Sequence, residues 1–425
     1  MTSPSSAERV VEMSAFVAAP LAGMTLAGLG CEVLRVDPPG GGLDFGRWPV
    51  TPGGESLFWA GLNRGKRSVV VDFRRPEGRE LVASMVVAGR TEGGVLLTNL
   101  GASGALGHDR LRERRADVVS IEIEGYPDGR TAVDYTIAAQ TGIPLVTGPR
   151  GHVGPVNSPL PTWDIATGLN AALATKEALR RRALTGRGAR VRIALSDVAI
   201  GLLSSLGMVD EPRLAVEPRA RDGNYLYGAF GRDFLLADGT RVMIVAITLK
   251  QWRALVGAVG LAAELAALEE SHGLDFEREG DRFLARYDIA DLVERWCGAR
   301  TSSEVADVFE VHGVSWAPYG TAPDFAAWCA QEGPDGALAG AVPPGGSSVT
   351  SPGTAGPRTG LVGDLGLPFR FDDDFSPPLG RAPALGQHTE QVLTELLGLS
   401  PREVGRLHDE GLVASAARQA RPGHG

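Results

Sequence analysis

Short β-branched runs alternate with helically spaced apolar residues through the first half of the chain. Val10–Glu12, Glu32–Asp37, Ser68–Phe73, Val95–Asn99 and Val118–Glu122 read as strands, and Ala19–Leu29, Gly78–Ala88 and Leu106–Arg115 as helices. This alternation predicts βαβ units around a parallel sheet. Pro76 and Glu77 open the second helix; a first-turn proline gives up only an N–H that has no partner there. Ser56–Leu62 reads as an aromatic turn and Asn63–Arg67 as a basic loop. A long helix is expected from Ala166 to about Leu184. The Thr185-Gly-Arg-Gly turn then leads into the strand Arg190–Leu195, and Ser196–Asp197 caps a further apolar helix.

The pattern changes near the middle. From about Asn224 to Tyr319 a strand pair around the turn Ala237-Asp-Gly-Thr240 precedes charged helices at Gln251–Glu269, Gly280–Arg286, Ile289–Ala299 and Ser302–His312, which predicts a smaller α+β domain. Leu338–Gly360 is rich in Gly, Pro, Ser and Thr, the composition of a loop or crossing segment. Helices follow at Thr389–Leu397 and after Ser400. The expected organisation is a large α/β domain over 1–220, a small α+β domain over 221–335, and a linker and C-terminal part over 336–425 that returns to the large domain.

Composition narrows the function classes. A chain of 425 residues, 43% hydrophobic and 22% charged, matches an ordinary globular enzyme. Its formal charge of −9 argues against nucleic acid or an anionic membrane as partner. The three cysteines are widely separated, so neither a disulfide framework nor a zinc ribbon is expected, and a reducing cytoplasm is the natural setting. No basic stretch followed by an apolar run opens the chain, so no secretory leader is expected. Gly40-Gly-Gly42 lacks the following helix and spacing of a dinucleotide fingerprint. The seven histidines are scattered without metal-ligand spacing, and no metal is expected.

The order of elements from Arg9 to Glu80 resembles the N-terminus of the class III CoA-transferases, the family of formyl-CoA transferase, carnitine CoA-transferase and 2-methylacyl-CoA racemase. It runs from a strand through an apolar turn and short helix to CEVLRVD with Pro-Pro-Gly-Gly-Gly, then an aromatic turn, the Asn-Arg-Gly-Lys-Arg loop and a β-branched strand. The resemblance implies a doubly wound, Rossmann-like large domain, an interlocked-ring homodimer, an acyl-CoA substrate and no permanently bound cofactor, coenzyme A entering as part of the substrate. Acyl transfer by this family runs through one aspartate, which can hold the acyl group as an anhydride and then CoA as a thioester.

Asp164, in Leu160-Pro-Thr-Trp-Asp-Ile-Ala-Thr-Gly168, matches the family's x-Asp-x-x-x-Gly motif at the opening of a long helix. An element end offers backbone N–H donors for an oxyanion. By residue chemistry alone, the same aspartate reads first as a plain N-cap, and it is the resemblance that reverses this. Asp134 is a supporting acid or a solvated loop residue. The resemblance also implies CoA contacts along an edge formed by Arg35, Asn63, Lys66, Arg67 and Asn99. Substrate would be lined by Val17 and Ala18, with Arg47 for a free carboxylate and Trp48 as a wall. Tyr225 and Tyr227 lie in a glycine- and aromatic-rich loop that would exclude water. Val133 stands where the racemases carry a proton-transferring histidine, so racemisation is disfavoured.

Several stretches are narrower than the family pattern: SAFVAAPLAGMTLAGLG, GGGLDFGRWPVT, SLFWAGLN, WDIATG, GNYLYGAFGRDF, VSWAPY and EVGRLHDEG. They resemble a branch of the family that moves CoA within one molecule, from the C1 to the C4 carboxyl of mesaconate. Transfer between separate donor and acceptor acids is the alternative within the family, and a nucleotide-dependent oxidoreductase the alternative outside it.

Overall fold

The computed structural model describes residues 8–89, 92–214, 219–331, 367–371, 374–375 and 379–416. The Gly/Pro-rich stretch Leu338–Gly360 lies outside the described residues. The described residues fall into two compact units. The first draws on Met1–Thr141, Asn157–Glu217 and Cys329–Gly425, the second on Gly142–Val156 and Pro218–Trp328.

In the first unit, β1 (Arg9–Met13), β2 (Glu32–Asp37), β3 (Arg67–Val71), β4 (Val95–Thr98), β5 (Val119–Glu124) and β6 (Ala189–Ala194) form a parallel sheet. The helices along this stretch are α1 (Ala18–Gly28), α2 (Leu57–Leu62), α3 (Pro76–Val87), α4 (His108–Arg114), α5 (Asp134–Gln140), α6 (Ile143–Val146, grouped with the second unit), α7 (Thr162–Thr185) and α8 (Leu195–Ser205). The strands run in the order β3-β2-β1-β4-β5-β6. The chain therefore starts at the centre, winds outward, and returns to lay β4 beside β1. Strand residues alternate between two packed faces. Val11 and Met13 join Val82, Ala83 and Val86 of α3 in one core, whereas Glu12 faces Gly23 of α1.

Gly168 lets α7 lie against α1, because a Cβ there would stand 2.6 Å from the Ala18 carbonyl oxygen. Two boundaries differ from the sequence expectation. α7 begins four residues before Ala166, and α8 already includes Ser196 and Asp197 in its first turn, with Ala194 at the cap position.

In the second unit, β7 (Phe230–Leu235), β8 (Arg241–Ala246) and β9 (Ser315–Pro318) form an antiparallel sheet. It packs with α9 (Leu249–Val259), α10 (Ala262–His272), α11 (Glu279–Leu284), α12 (Arg286–Gly298) and α13 (Ser302–His312) around Phe230, Phe234, Trp252, Phe276 and Phe309. The single helix expected over Gln251–Glu269 is two, because Gly260 takes a left-handed φ of 67° and stops α9. α14 (Ala322–Gln331) follows, then the short pair β10 (Arg370–Phe371) and β11 (Asp374–Phe375). α15 (Thr389–Leu397), α16 (Pro401–Asp409) and β12 (Val413–Ala414) bring the chain back to the first unit. There β12 pairs antiparallel with β3 and covers the sheet edge.

Candidate active site

In a parallel sheet whose strand order reverses, ligands bind beyond the carboxyl ends of the strands on either side of the reversal. Here those strands are β1 and β4. Asn99, directly after β4, reaches across: its amide accepts from the Ala15 N–H at 2.9 Å and donates to the Ala15 C=O at 2.8 Å. The next residue, Phe16, holds φ at 64°, a left-handed conformation a phenylalanine adopts only when its surroundings impose it. Val17 and Ala18 follow, buried at the start of α1. That helix has no side-chain cap, and a helix leaves its first-turn N–H groups without intrahelical partners.

α7 delivers Asp164 to the same corner. The carboxylate is the third residue of α7 rather than its cap; the cap position is Pro161, which has no acceptor side chain. Asp134 supplies the cap from thirty residues upstream. It is buried, and its Oδ2 accepts from the Trp163 N–H at 2.6 Å and the Asp164 N–H at 3.1 Å. The Thr162 and Ile165 N–H groups donate to the Leu160 and Pro161 carbonyls. The first-turn donors expected beside Asp164 are therefore occupied, whereas the start of α1 has no side-chain cap. Asp134 is thus not a solvated loop acid but the group that fixes the opening of α7.

Electrostatics mark Asp164 out. Burial pushes its carboxyl up to about 6, the Asp134 charge adds to the rise, and Arg47 opposes it. At neutral pH it is ionised yet poorly solvated, the condition of a reactive oxygen nucleophile. The Arg47 guanidinium lies over two rings, 5.4 Å from the centre of Phe16 and 5.1 Å from that of Phe58. Trp48 is 78% exposed.

The residues expected along a CoA edge are turned inward. Arg35, Asn63 and Lys66 are buried together with Glu12, Asp37 and Asp44. Lys66 Nζ donates to Glu12, to the Pro20 carbonyl and to Asn63, at 2.8–2.9 Å, which uses its three protons. Burial lowers the Lys66 ammonium to about 8, with Glu12 opposing. Burial alone would also lower Arg35, but Asp37, Asp44 and Glu12 more than reverse it. The physical reason is Glu12: a carboxylate inside a sheet must be paired, and Arg35 stands opposite it in the β1–β2 register. Arg67 stays at the surface, paired with Glu32 and Glu395.

Tyr225 and Tyr227 belong to the second unit, where Tyr225 packs edge-on to Tyr287 and Tyr227 packs against Phe283. The sequence reading placed Phe16 only in an apolar lining, not beneath Arg47, and missed Phe58, Ser14, Glu12 and Asp44. Glu12 and Arg35 did carry a signal, since each interrupts an otherwise apolar strand. The aromatic turn is in fact α2, and its signal was Ser56, whose hydroxyl caps the helix by accepting from the Trp59 N–H.

Burial pushes the Cys31 thiol up to about 11 and that of Cys297 to about 12, so neither supplies a thiolate. Among the described residues no cluster of His, Cys, Asp and Glu could hold a metal, and no helix is long and apolar enough to cross a membrane.

The chain matches the family model for CoA-transferase family III over residues 7–389 and belongs to that family. It is 48% identical over 416 residues to 2-methylfumaryl-CoA isomerase of Chloroflexus aurantiacus, covering 97% of this chain and 98% of that one. It is also 25% identical to a formyl-CoA:oxalate CoA-transferase of Rhodopseudomonas palustris, over 99% of this chain and all of the other. Among solved structures, a CAIB/BAIF family protein from Brucella suis superposes with a TM-score of 0.69 at 25% identity, covering 93% of this chain and 100% of that one. The mixed α/β fold with its parallel sheet is shared with these relatives.

Proposed function

We propose that the chain moves CoA within one molecule, converting 2-methylfumaryl-CoA (mesaconyl-C1-CoA) to 3-methylfumaryl-CoA (mesaconyl-C4-CoA) through Asp164. The observation that carries the reading is the 48% identity to 2-methylfumaryl-CoA isomerase across nearly all of both chains. The site supplies the chemistry the reaction needs.

Asp164 attacks the C1 thioester carbonyl, the C–S bond breaks, and CoA leaves as thiolate from a mixed anhydride. The thiolate attacks the aspartyl carbonyl of that anhydride, which releases mesaconate and leaves an aspartyl-CoA thioester. The C4 carboxylate attacks this thioester and expels the thiolate again. Attack of the thiolate on C4 then frees Asp164. No proton is gained or lost. The uncapped N–H groups of Ala18 and Ala19 stabilise the oxyanions. Arg47 holds whichever substrate carboxylate is free, and the apolar Phe16–Ala19 turn accepts the methyl group. Arg67 is the basic-loop residue we keep as a phosphate contact. α-Proton exchange gains nothing from Val133, which has no proton to move.

The reversal of strand order at β1 and β4 supports a doubly wound, Rossmann-like first unit. We take the working form to be a homodimer of interlocked chains. Incubation of the purified protein with mesaconyl-C1-CoA alone, followed by chromatography with mass detection, tests the activity. The C4 isomer is expected without any added acid. Conversion only when a second acid is supplied, with that acid appearing in the product thioester, would replace this reading with intermolecular transfer.

A further inference from the structure

We propose that Arg35 is a positioning residue: its buried guanidinium ties the loop that carries Arg47 to the turn that carries Phe16, and so sets the cation–aromatic stack beside Asp164. The inference rests on the reading of Asp164 as nucleophile and Arg47 as the carboxylate contact.

Arg35 has no exposed surface, and beside its bonds to Asp37, Glu12 and Asn63 its donors reach two separate segments. Nη1 donates to Ser14 Oγ at 2.7 Å, two residues before Phe16. Nη2 donates to Asp44 Oδ1 at 3.1 Å, three residues before Arg47. Nε and Nη2 both donate to Asp37 at 3.0 and 2.8 Å, which locks the plane of the fork. From Asp44 the tether continues through the backbone, since the Arg47 N–H donates to the Asp44 carbonyl at 3.1 Å. The Arg47 carbonyl in turn accepts from the Ser56 hydroxyl, the cap of the helix that carries Phe58. One guanidinium and one serine therefore fix the cation and both rings beneath it. A lysine at position 35 would balance the acids but could not span both loops, because it is a point charge without a planar fork.

The test is the titration of the Asp164 carboxyl, followed by carbon NMR of protein labelled at aspartate and assigned by difference from Asp164→Asn. The variants are Asp44→Ala and Ser56→Ala, each alone and with Arg47→Gln. Removing the Asp44 charge directly would lower the Asp164 midpoint, whereas releasing Arg47 raises it, so the sign separates the two causes. Both variants are expected to raise the midpoint by about half a pH unit or more. Once Arg47 is gone, Ser56→Ala should not move it further, and Asp44→Ala should at most lower it. In turnover, KM for the acyl-CoA should rise about tenfold, as misplacement of a binding group predicts.

Ser56→Ala alters no charge and reports on the serine tether alone; Asp44→Asn, which removes the ion pair with Arg35 and keeps the side-chain shape, keeps the test available if Asp44→Ala does not fold. An unchanged or lowered midpoint in the Asp44 variants, or an equal rise in the Arg47→Gln background, would overturn the proposal. The titration needs no substrate. A wild type inert toward 2-methylfumaryl-CoA would therefore sink the proposed activity while leaving this coupling to be judged on its own.

Discussion

Asp164 concentrates two opposing demands: it has to be ionised to attack and poorly solvated to be reactive. Its carboxyl, raised to about 6 by burial and by Asp134, meets both at neutral pH. The acid limb of the rate profile should therefore fall near pH 6, about two units above an ordinary aspartate. A limb near pH 4 would contradict this environment. Asp164→Asn should abolish turnover, since an amide cannot form the anhydride. The same variant should be more stable than wild type at pH 7.5. The folded value lies above the 3.8 of an ordinary aspartate, so the folded chain holds the proton more tightly, and stability falls as pH rises from about 4 to about 6. Removing the charge should recover at most about 2 kcal/mol for this partly solvated group, vanishing near pH 4, as thermal melts at the two pH values would show. Asp134 can be separated in the same way. Asp134→Asn keeps an oxygen for the Trp163 and Asp164 N–H groups but removes the repulsion, so the acid limb should move down. Asp134→Ala should in addition cost about 1–2 kcal/mol of stability through loss of the α7 cap.

At the scale of elements, the site depends on how closely α7 lies on α1. Gly168 is the contact, and Gly168→Ala would drive a methyl into the Ala18 carbonyl. We expect a loss of about 1–3 kcal/mol in thermal or denaturant unfolding, as overpacking gives. Activity should fall further than the stability loss alone explains, because the helix that moves carries Asp164 and the one it strikes carries the proposed oxyanion donors. Retained activity in a destabilised variant would show that the two helix starts need not be in register. The same elements show what was legible in the sequence. β2 and α13 match their expected bounds, because each has a local signal: a compact apolar run for β2, and for α13 a Thr301 cap with Glu304 reaching back and Gly313 as the stop. The start of α7 was misplaced because its cap comes from Asp134, and a bond across thirty residues leaves no local trace. Arg35 and Lys66 looked like surface cations because sequence gives charge but not direction. Only the register that sets Glu12 opposite Arg35 turns them inward.

At the scale of the whole molecule, α7 faces two ways. Its first turn carries Asp164, the proposed nucleophile, while Leu169 and Leu173, one turn apart, are 50% and 69% exposed, and Ile200 of the neighbouring α8 is 58% exposed. Large apolar side chains repeated along one helix gain by burial in an assembly, and a second copy of the chain is the partner we propose. Sedimentation should therefore give a species of twice 44.6 kDa. Interlocked chains cannot part without unfolding, so Leu169→Glu with Leu173→Glu should not release folded single chains; each charge would have to be buried unpaired, and the pair should instead assemble poorly and melt at a lower temperature. If α7 is held in place by that contact, the fraction that does assemble should turn over more slowly even though Asp164 itself is unchanged. A wild type that sediments as a single chain, or a double variant that assembles and melts as the wild type does, would remove this face of α7 from the assembly.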